Sequence, residues 1–136
     1  MQKFVRKALA ATGAVALALI AVTASATPAS AGDCSSTQVT GTVPGGYKAA
    51  AACVVEGHNM IFSAVGNTPA DAQYYAAWMG SQATGNSGCP DATVSAIPGG
   101  YNVVLSCFGS YSFPNATGPD LNTATANANY MWVLTR

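Results

Sequence analysis

The tetrapeptide Pro-Gly-Gly-Tyr occurs twice, at residues 44–47 and 98–101, and each copy lies between two cysteines. The first block runs from Cys34 to Cys53 and the second from Cys89 to Cys107, with the same six-residue step from tyrosine to second cysteine. The blocks are 54 residues apart and their leading cysteines 55, so the two first segments differ in length by one residue. Four matched residues with two matched cysteines do not arise readily by chance. Residues 34–86 and 87–136 therefore read as tandem repeats. Two copies make a duplicated domain, whereas a stacked array needs at least three.

Local patterns predict the same order of elements in each copy. In the first, Val39 to Val43 reads as a strand, Gly45-Gly46 as a two-residue turn and Tyr47 to Val55 as the returning strand. In the second, the turn is Gly99-Gly100, which places Val94, Ala96, Val103, Leu105 and Cys107 on one face. The matching face of the first copy is thinner: Thr40, Thr42, Ala49, Ala51 and Cys53. Met60 to Val65 reads as a third strand, with a shorter counterpart at Tyr111 to Phe113. Thr68-Pro69-Ala70-Asp71 is a strong helix start, with a threonine cap, proline at the first helical position and an acid in the first turn. Ala72, Tyr75, Ala76 and Met79 then share a face, and Gly80 and Gly85 bracket the end. The second helix starts at Gly118-Pro119-Asp120. Its Asn and Thr content lowers its propensity, but Leu121, Ala124, Ala128 and Met131 form a stripe. Trp132-Val133-Leu134 reads as a final strand or a buried tail. The expected fold is α+β: two β-β-β-α repeats forming one pseudo-twofold, disulfide-stapled domain, with the helices on one side of an antiparallel sheet.

The amino terminus predicts where this domain works. Lys3, Arg6 and Lys7 precede an apolar run from Ala8 to Val22, and small residues follow at Ala24-Ser25-Ala26 and Ala29-Ser30-Ala31. This is the pattern of a cleavable secretory signal peptide over residues 1–31, cut after Ala31 or, alternatively, Ala26. The apolar run is shorter than the roughly 20 residues a spanning helix needs. The single mature domain is then residues 32–136, secreted and extracellular. In that compartment four cysteines imply two disulfides. Three connectivities are open. Cys34–Cys53 with Cys89–Cys107 is favoured because each duplicated unit would carry its own bridge. One difficulty attends it: a Gly-Gly turn places Gln38, not Cys34, opposite Cys53.

Composition excludes several function classes. The precursor is formally neutral, but the mature part keeps Lys48 and Arg136 against Asp33, Glu56, Asp71, Asp91 and Asp120, a balance of −3. No basic footprint for nucleic acid remains, and no polybasic patch for a membrane surface. No Cys-x-x-Cys spacing is present and there is one histidine, so neither a metal nor another cofactor is expected.

Candidate chemistry is sparse. His58, in Glu56-Gly57-His58-Asn59, is the sole histidine, and Glu56 could meet it across a turn as an acid–base pair. The second copy has no counterpart, and no Gly-x-Ser-x-Gly motif supports a serine nucleophile. The candidate binding residues are the two turns, Gly45, Gly46, Gly99 and Gly100, with Tyr47 and Tyr101 beside them; rigid aromatics next to glycine suit recognition. The competing role is packing of each tyrosine over its own hairpin. Tyr74 and Trp78, one helical turn apart, are candidates for a partner patch or for the seam between the copies, the seam being favoured. In size, export and duplication the chain resembles the small duplicated proteins that bacteria secrete as inhibitors of extracellular enzymes, without a shared motif. The leading expectation is a non-enzymatic binding protein for an unknown extracellular protein or ligand, with enzyme inhibition as one form. The alternatives are a small hydrolase using His58 with Glu56, and a structural or surface-associated protein.

Overall fold

The computed structural model describes residues 32–85, 87–108 and 112–135. The segment read as a signal peptide lies outside the described residues, as does Tyr111. The elements in chain order are β1 (Gly32–Val43), β2 (Gly46–Val55), β3 (His58–Gly66), α1 (Pro69–Gln82), β4 (Asp91–Ile97), β5 (Gly100–Ser106), β6 (Asn115–Gly118) and α2 (Leu121–Thr135). They form two antiparallel three-stranded sheets, β1-β2-β3 and β4-β5-β6, each followed by a helix. The fold is α+β, with two sheets where one was expected. A parallel bridge between Phe62 and Cys89 joins them. There the Cys89 N–H donates to the Ile61 carbonyl at 3.1 Å and the Ser63 N–H to the Cys89 carbonyl at 2.7 Å. The core runs through both halves: Phe62, Val65 and Met79 pack in one cluster with Val103, Leu105, Leu121 and Trp132.

Both hairpin turns fall one residue earlier than the Gly-Gly reading. The turn residues are Pro44-Gly45 and Pro98-Gly99, because Val43 pairs with Gly46 and Ile97 with Gly100. Gly45 and Gly99 have φ of 84° and 81°. Proline followed by glycine at positive φ is the signature of a type II turn. The second glycine of each pair has another task. Gly46 lies against the Gly66 carbonyl and Gly100 against the Gly118 carbonyl, each too close to admit a Cβ.

The first hairpin resolves the register difficulty. The earlier turn moves the pairing by two residues. Two bulges, between Val39 and Gly41 and between Cys34 and Ser36, move it by one more each. Together they carry Cys34 opposite Cys53. A bulge seats an extra residue on one strand and so shifts everything beyond it. Thr40 is therefore not part of the inward face, which pairs Thr42, Val39, Thr37 and Cys34 with Tyr47, Ala49, Ala51 and Cys53. The second hairpin has no bulge, and Ala92, Val94 and Ala96 oppose Leu105, Val103 and Tyr101. The disulfides are Cys34–Cys53 and Cys89–Cys107.

Three expectations about the later elements change. The third strand of the second half is Asn115–Gly118, after Pro114 and not before it. Proline tolerates the entry to a strand, and the Pro114 carbonyl still accepts the Leu105 N–H at 2.9 Å. Trp132-Val133-Leu134 belongs to α2, because burial of Leu121, Ala124, Ala128 and Trp132 keeps the helical stripe going. Met131 lies outside that stripe and is exposed. In α1, Thr68 caps as expected, its hydroxyl accepting the Asp71 N–H at 3.1 Å. The helix ends at Gln82, between Gly80 and Gly85 as expected, and Gly80 has a second task. It is buried within α1 and lies directly on the sulfurs of the Cys34–Cys53 bridge.

Candidate functional site

The residues singled out as binding tips are brought together, but against each other. A Cβ on Gly45 would lie 2.6 Å from Cζ of Tyr101, so the ring of the second half covers the turn of the first. A Cβ on Gly99 would meet nothing within 4 Å. Tyr47 is half-buried and pairs with Thr42 and Gly66 in its own sheet. The Gly45–Tyr101 contact thus belongs to the joint between the halves.

That joint is polar at its rim. The Asn67 side-chain oxygen accepts the N–H groups of Leu121 at 3.1 Å and Asn122 at 3.3 Å, capping α2 from the other half. In return the Asn67 N–H donates to the Asn122 side-chain oxygen at 2.8 Å, and the Asn122 amide donates to Asp71 at 3.0 Å. Burial pushes the Tyr75 hydroxyl above its ordinary pKa, and the charge of Asp71 adds to it. Across the joint, Lys48 Nζ donates to Asp91 at 2.9 Å. That hydrogen bond holds the Asp91 carboxyl below the ordinary aspartate value. The pair is exposed, so it contributes little stability. Tyr74 is exposed and sets its ring edge-on to Tyr75, with centroids 5.4 Å apart; Tyr74 does not enter the seam, while Trp78 packs against the core.

Glu56 and Gly57 form the β2–β3 turn, with φ of 51° and 83°. Positive φ at both central positions is the type I′ pattern that matches strand twist in a two-residue hairpin. Glutamate carries a steric cost there that asparagine or glycine avoids. Glu56 and His58 are both exposed at this tip. An open groove of about 450 Å³ lies elsewhere, lined by Thr40, Lys48, Ser63, Pro90 and Asp91 among others.

The structure brings out a feature that sequence reasoning missed. Val54 and Ile61 are each 44% exposed, and Phe108 and Phe113 are 58% and 59% exposed. Val54 follows Cys53, and Phe108 follows Cys107. Ile61 lies opposite Ala52, and Val54 opposite Asn59, so the two apolar side chains are diagonal neighbours on the outer face of the first sheet. Phe108 is linked to the same strand through Gly88. Its N–H donates to the Gly88 carbonyl at 2.9 Å, and a Cβ on Gly88 would lie 3.5 Å from the Ile61 carbonyl and 3.7 Å from the Phe108 ring. Single exposed apolar side chains are ordinary, but grouped ones mark interaction surfaces. The available signal was at Cys53: with that side chain inward, alternation sends Val54 outward.

No protein-family model matches this chain, and no curated protein matches it in sequence. Among the described residues, no helix is long and apolar enough to cross a membrane.

Proposed function

We propose that the mature chain is a small secreted, non-enzymatic binding protein that engages an extracellular protein, with inhibition of an extracellular enzyme as the form of action. The observation that carries this reading is a set of large apolar side chains held in water: Val54 and Ile61 side by side on the first sheet, and Phe108 and Phe113 in the second half. A stapled scaffold that holds large apolar side chains in water suits recognition, since little ordering entropy is lost on binding. The two disulfides support an oxidising compartment.

Tandem duplication belongs to the same reading. Gly46, Gly66 and Ala72 stand in one close-packed relation, and Gly100, Gly118 and Ala124 in the same one. Thr68 caps α1 through the Asp71 N–H, and Asp120 accepts the Thr123 N–H at 2.8 Å at the start of α2. Val54 and Ile61 correspond to Phe108 and Phe113, so the apolar positions recur in both copies. A pseudo-twofold would set Tyr47 on Gly99 as Tyr101 sits on Gly45. Gly99 is open, so the reading keeps the duplication and drops the twofold.

The test is binding of the oxidised protein to a panel of extracellular proteases and hydrolases. The quadruple variant with serine at Val54, Ile61, Phe108 and Phe113 is run beside it. Binding or inhibition that falls at least tenfold in the variant is the expected result. Absence of any partner or inhibition, or a variant that binds as the parent does, counts against the reading.

A further inference from the structure

We infer that Thr125 and Asn129 of α2 form a closed polar socket that holds ordered water in the seam between α2 and α1. The inference is independent of the binding role proposed above.

Both residues are buried, Thr125 completely and Asn129 to 2% exposure. The Thr125 hydroxyl and both ends of the Asn129 amide find no hydrogen-bond partner among the described residues. Each departs from the habit of its own helix. A threonine inside a helix commonly donates to the carbonyl one turn back, and Thr135 does so to Met131 at 2.8 Å. Thr125 does not, which leaves its hydroxyl to the interior. Among the asparagines of α2, Asn122 and Asn127 lie nearer the surface, and both are paired. Asn122 donates to Asp71 at 3.0 Å and Asn127 to the Thr117 carbonyl at 3.2 Å. The buried Asn129 is the one without a partner. That order reverses what burial demands, because a partner matters most where bulk water is excluded.

Helix geometry brings the two residues together. Positions four apart are neighbours on one face of a helix, so the Thr125 and Asn129 side chains stand one above the other. Asn129 also lies seven residues after Asn122, two turns along the same side. Asn122 is the residue that reaches Asn67 and Asp71 of the first half, and α1 and α2 are in contact. This side of α2 is therefore turned toward α1. The socket lies further along the same seam, beyond the clasp of Asn67 and Asn122. Trp132, three residues past Asn129, is buried and edge-on to Phe62, so apolar packing resumes directly after it.

The chemistry of these atoms selects the occupant. Asn129 Nδ2 offers donors, Asn129 Oδ1 is an acceptor, and the Thr125 hydroxyl is both. A cation would leave the amide N–H groups unpaired, and an anion would leave the amide oxygen unpaired. Water serves both kinds of group: it accepts from Nδ2 and donates to Oγ1 or Oδ1. Buried water in proteins typically sits among otherwise unsatisfied polar groups of this sort.

The test is a high-resolution crystal structure of the oxidised protein and of two variants, with urea unfolding of each. The parent should show a solvent peak within about 3.2 Å of both Thr125 Oγ1 and the Asn129 amide. Thr125→Ser keeps the hydroxyl and should keep the peak. Thr125→Val has nearly the same shape without the hydroxyl; it should lose the peak, and its urea midpoint should fall below that of the parent. The direction of that shift decides the matter. A hydroxyl buried dry and unpaired costs stability, so its removal would raise the midpoint. A Thr125→Val midpoint that holds or rises, a parent without the peak, or a peak on Asn129 out of reach of Thr125 overturns the socket. A parent whose Thr125 and Asn129 side chains bond each other directly overturns it too. Should Thr125→Val not fold, the peak in the parent and in Thr125→Ser carries the same test.

Discussion

Replacing Gly80 with alanine should destabilise the protein, and the sign should depend on one disulfide. By propensity alone the change adds about 1 kcal/mol to a helix interior. The structure opposes it. A Cβ at Gly80 falls on both sulfurs of the Cys34–Cys53 bridge and lies 3.3 Å from the Cys53 Cβ. Bridged sulfurs cannot rotate aside, so the cost belongs near the top of the roughly 1–3 kcal/mol range for overpacking. The net loss is about 2 kcal/mol. For a domain of this size that is on the order of 8–16 °C in Tm. In the C34A/C53A background, which itself loses about 3 kcal/mol for a bridge spanning 19 residues, the sulfurs are gone and the same substitution becomes stabilising by about 1 kcal/mol. Urea unfolding of the four proteins completes a double-mutant cycle with a coupling of about 3 kcal/mol. If Gly80→Ala is neutral in the oxidised parent, or equally harmful in both backgrounds, the claim that this glycine exists to seat the disulfide is wrong.

Two further outcomes follow from local geometry. Glu56→Asn relieves a glutamate at φ 51° and should raise stability by about 0.5–1 kcal/mol, read as a higher urea midpoint; an unchanged or lower midpoint contradicts the strain. Asn67→Ala removes the acceptor for the Leu121 and Asn122 N–H groups and should cost about 1–2 kcal/mol. Amide exchange at those two residues should quicken more than in β2, and uniform quickening would speak against a local cap.

Much of the architecture was legible because it rests on short-range chemistry. Thr68-Pro69 announces α1 through a cap and a fixed φ, both set within one turn of chain. The strands of the second hairpin follow from alternation alone. The turns were displaced by one residue because Gly-Gly looks like the more permissive pair, while the need for space at Gly46 comes from Gly66, far away in sequence. Bulges leave no mark in composition, so the alignment of Cys34 with Cys53 had to come from the structure. Pro114 reads as a stop, yet it stands just ahead of the strand and its carbonyl still accepts the Leu105 N–H, so the ladder gives up a single donor at its end. Trp132-Val133-Leu134 has strand-like composition, but the spacing from Ala124 and Ala128 to Trp132 outweighs it. The exposed apolar side chains were hidden for a different reason. In Met60-Ile61-Phe62 every residue is apolar, and no pattern within the run says which one faces water.

The placement of the two bridges bears on how the chain matures. Each disulfide joins cysteines 19 or 18 residues apart, and closing a short loop costs less entropy than closing a long one. The native partners are therefore also the ones that collide most often in an unfolded chain. In a chain made from its amino terminus, Cys34 and Cys53 are both present before Cys89 exists, so the first bridge has no competitor when it forms. Correct pairing is thus favoured by order of appearance, and scrambled isomers should be minor products of oxidation even without a catalyst of exchange.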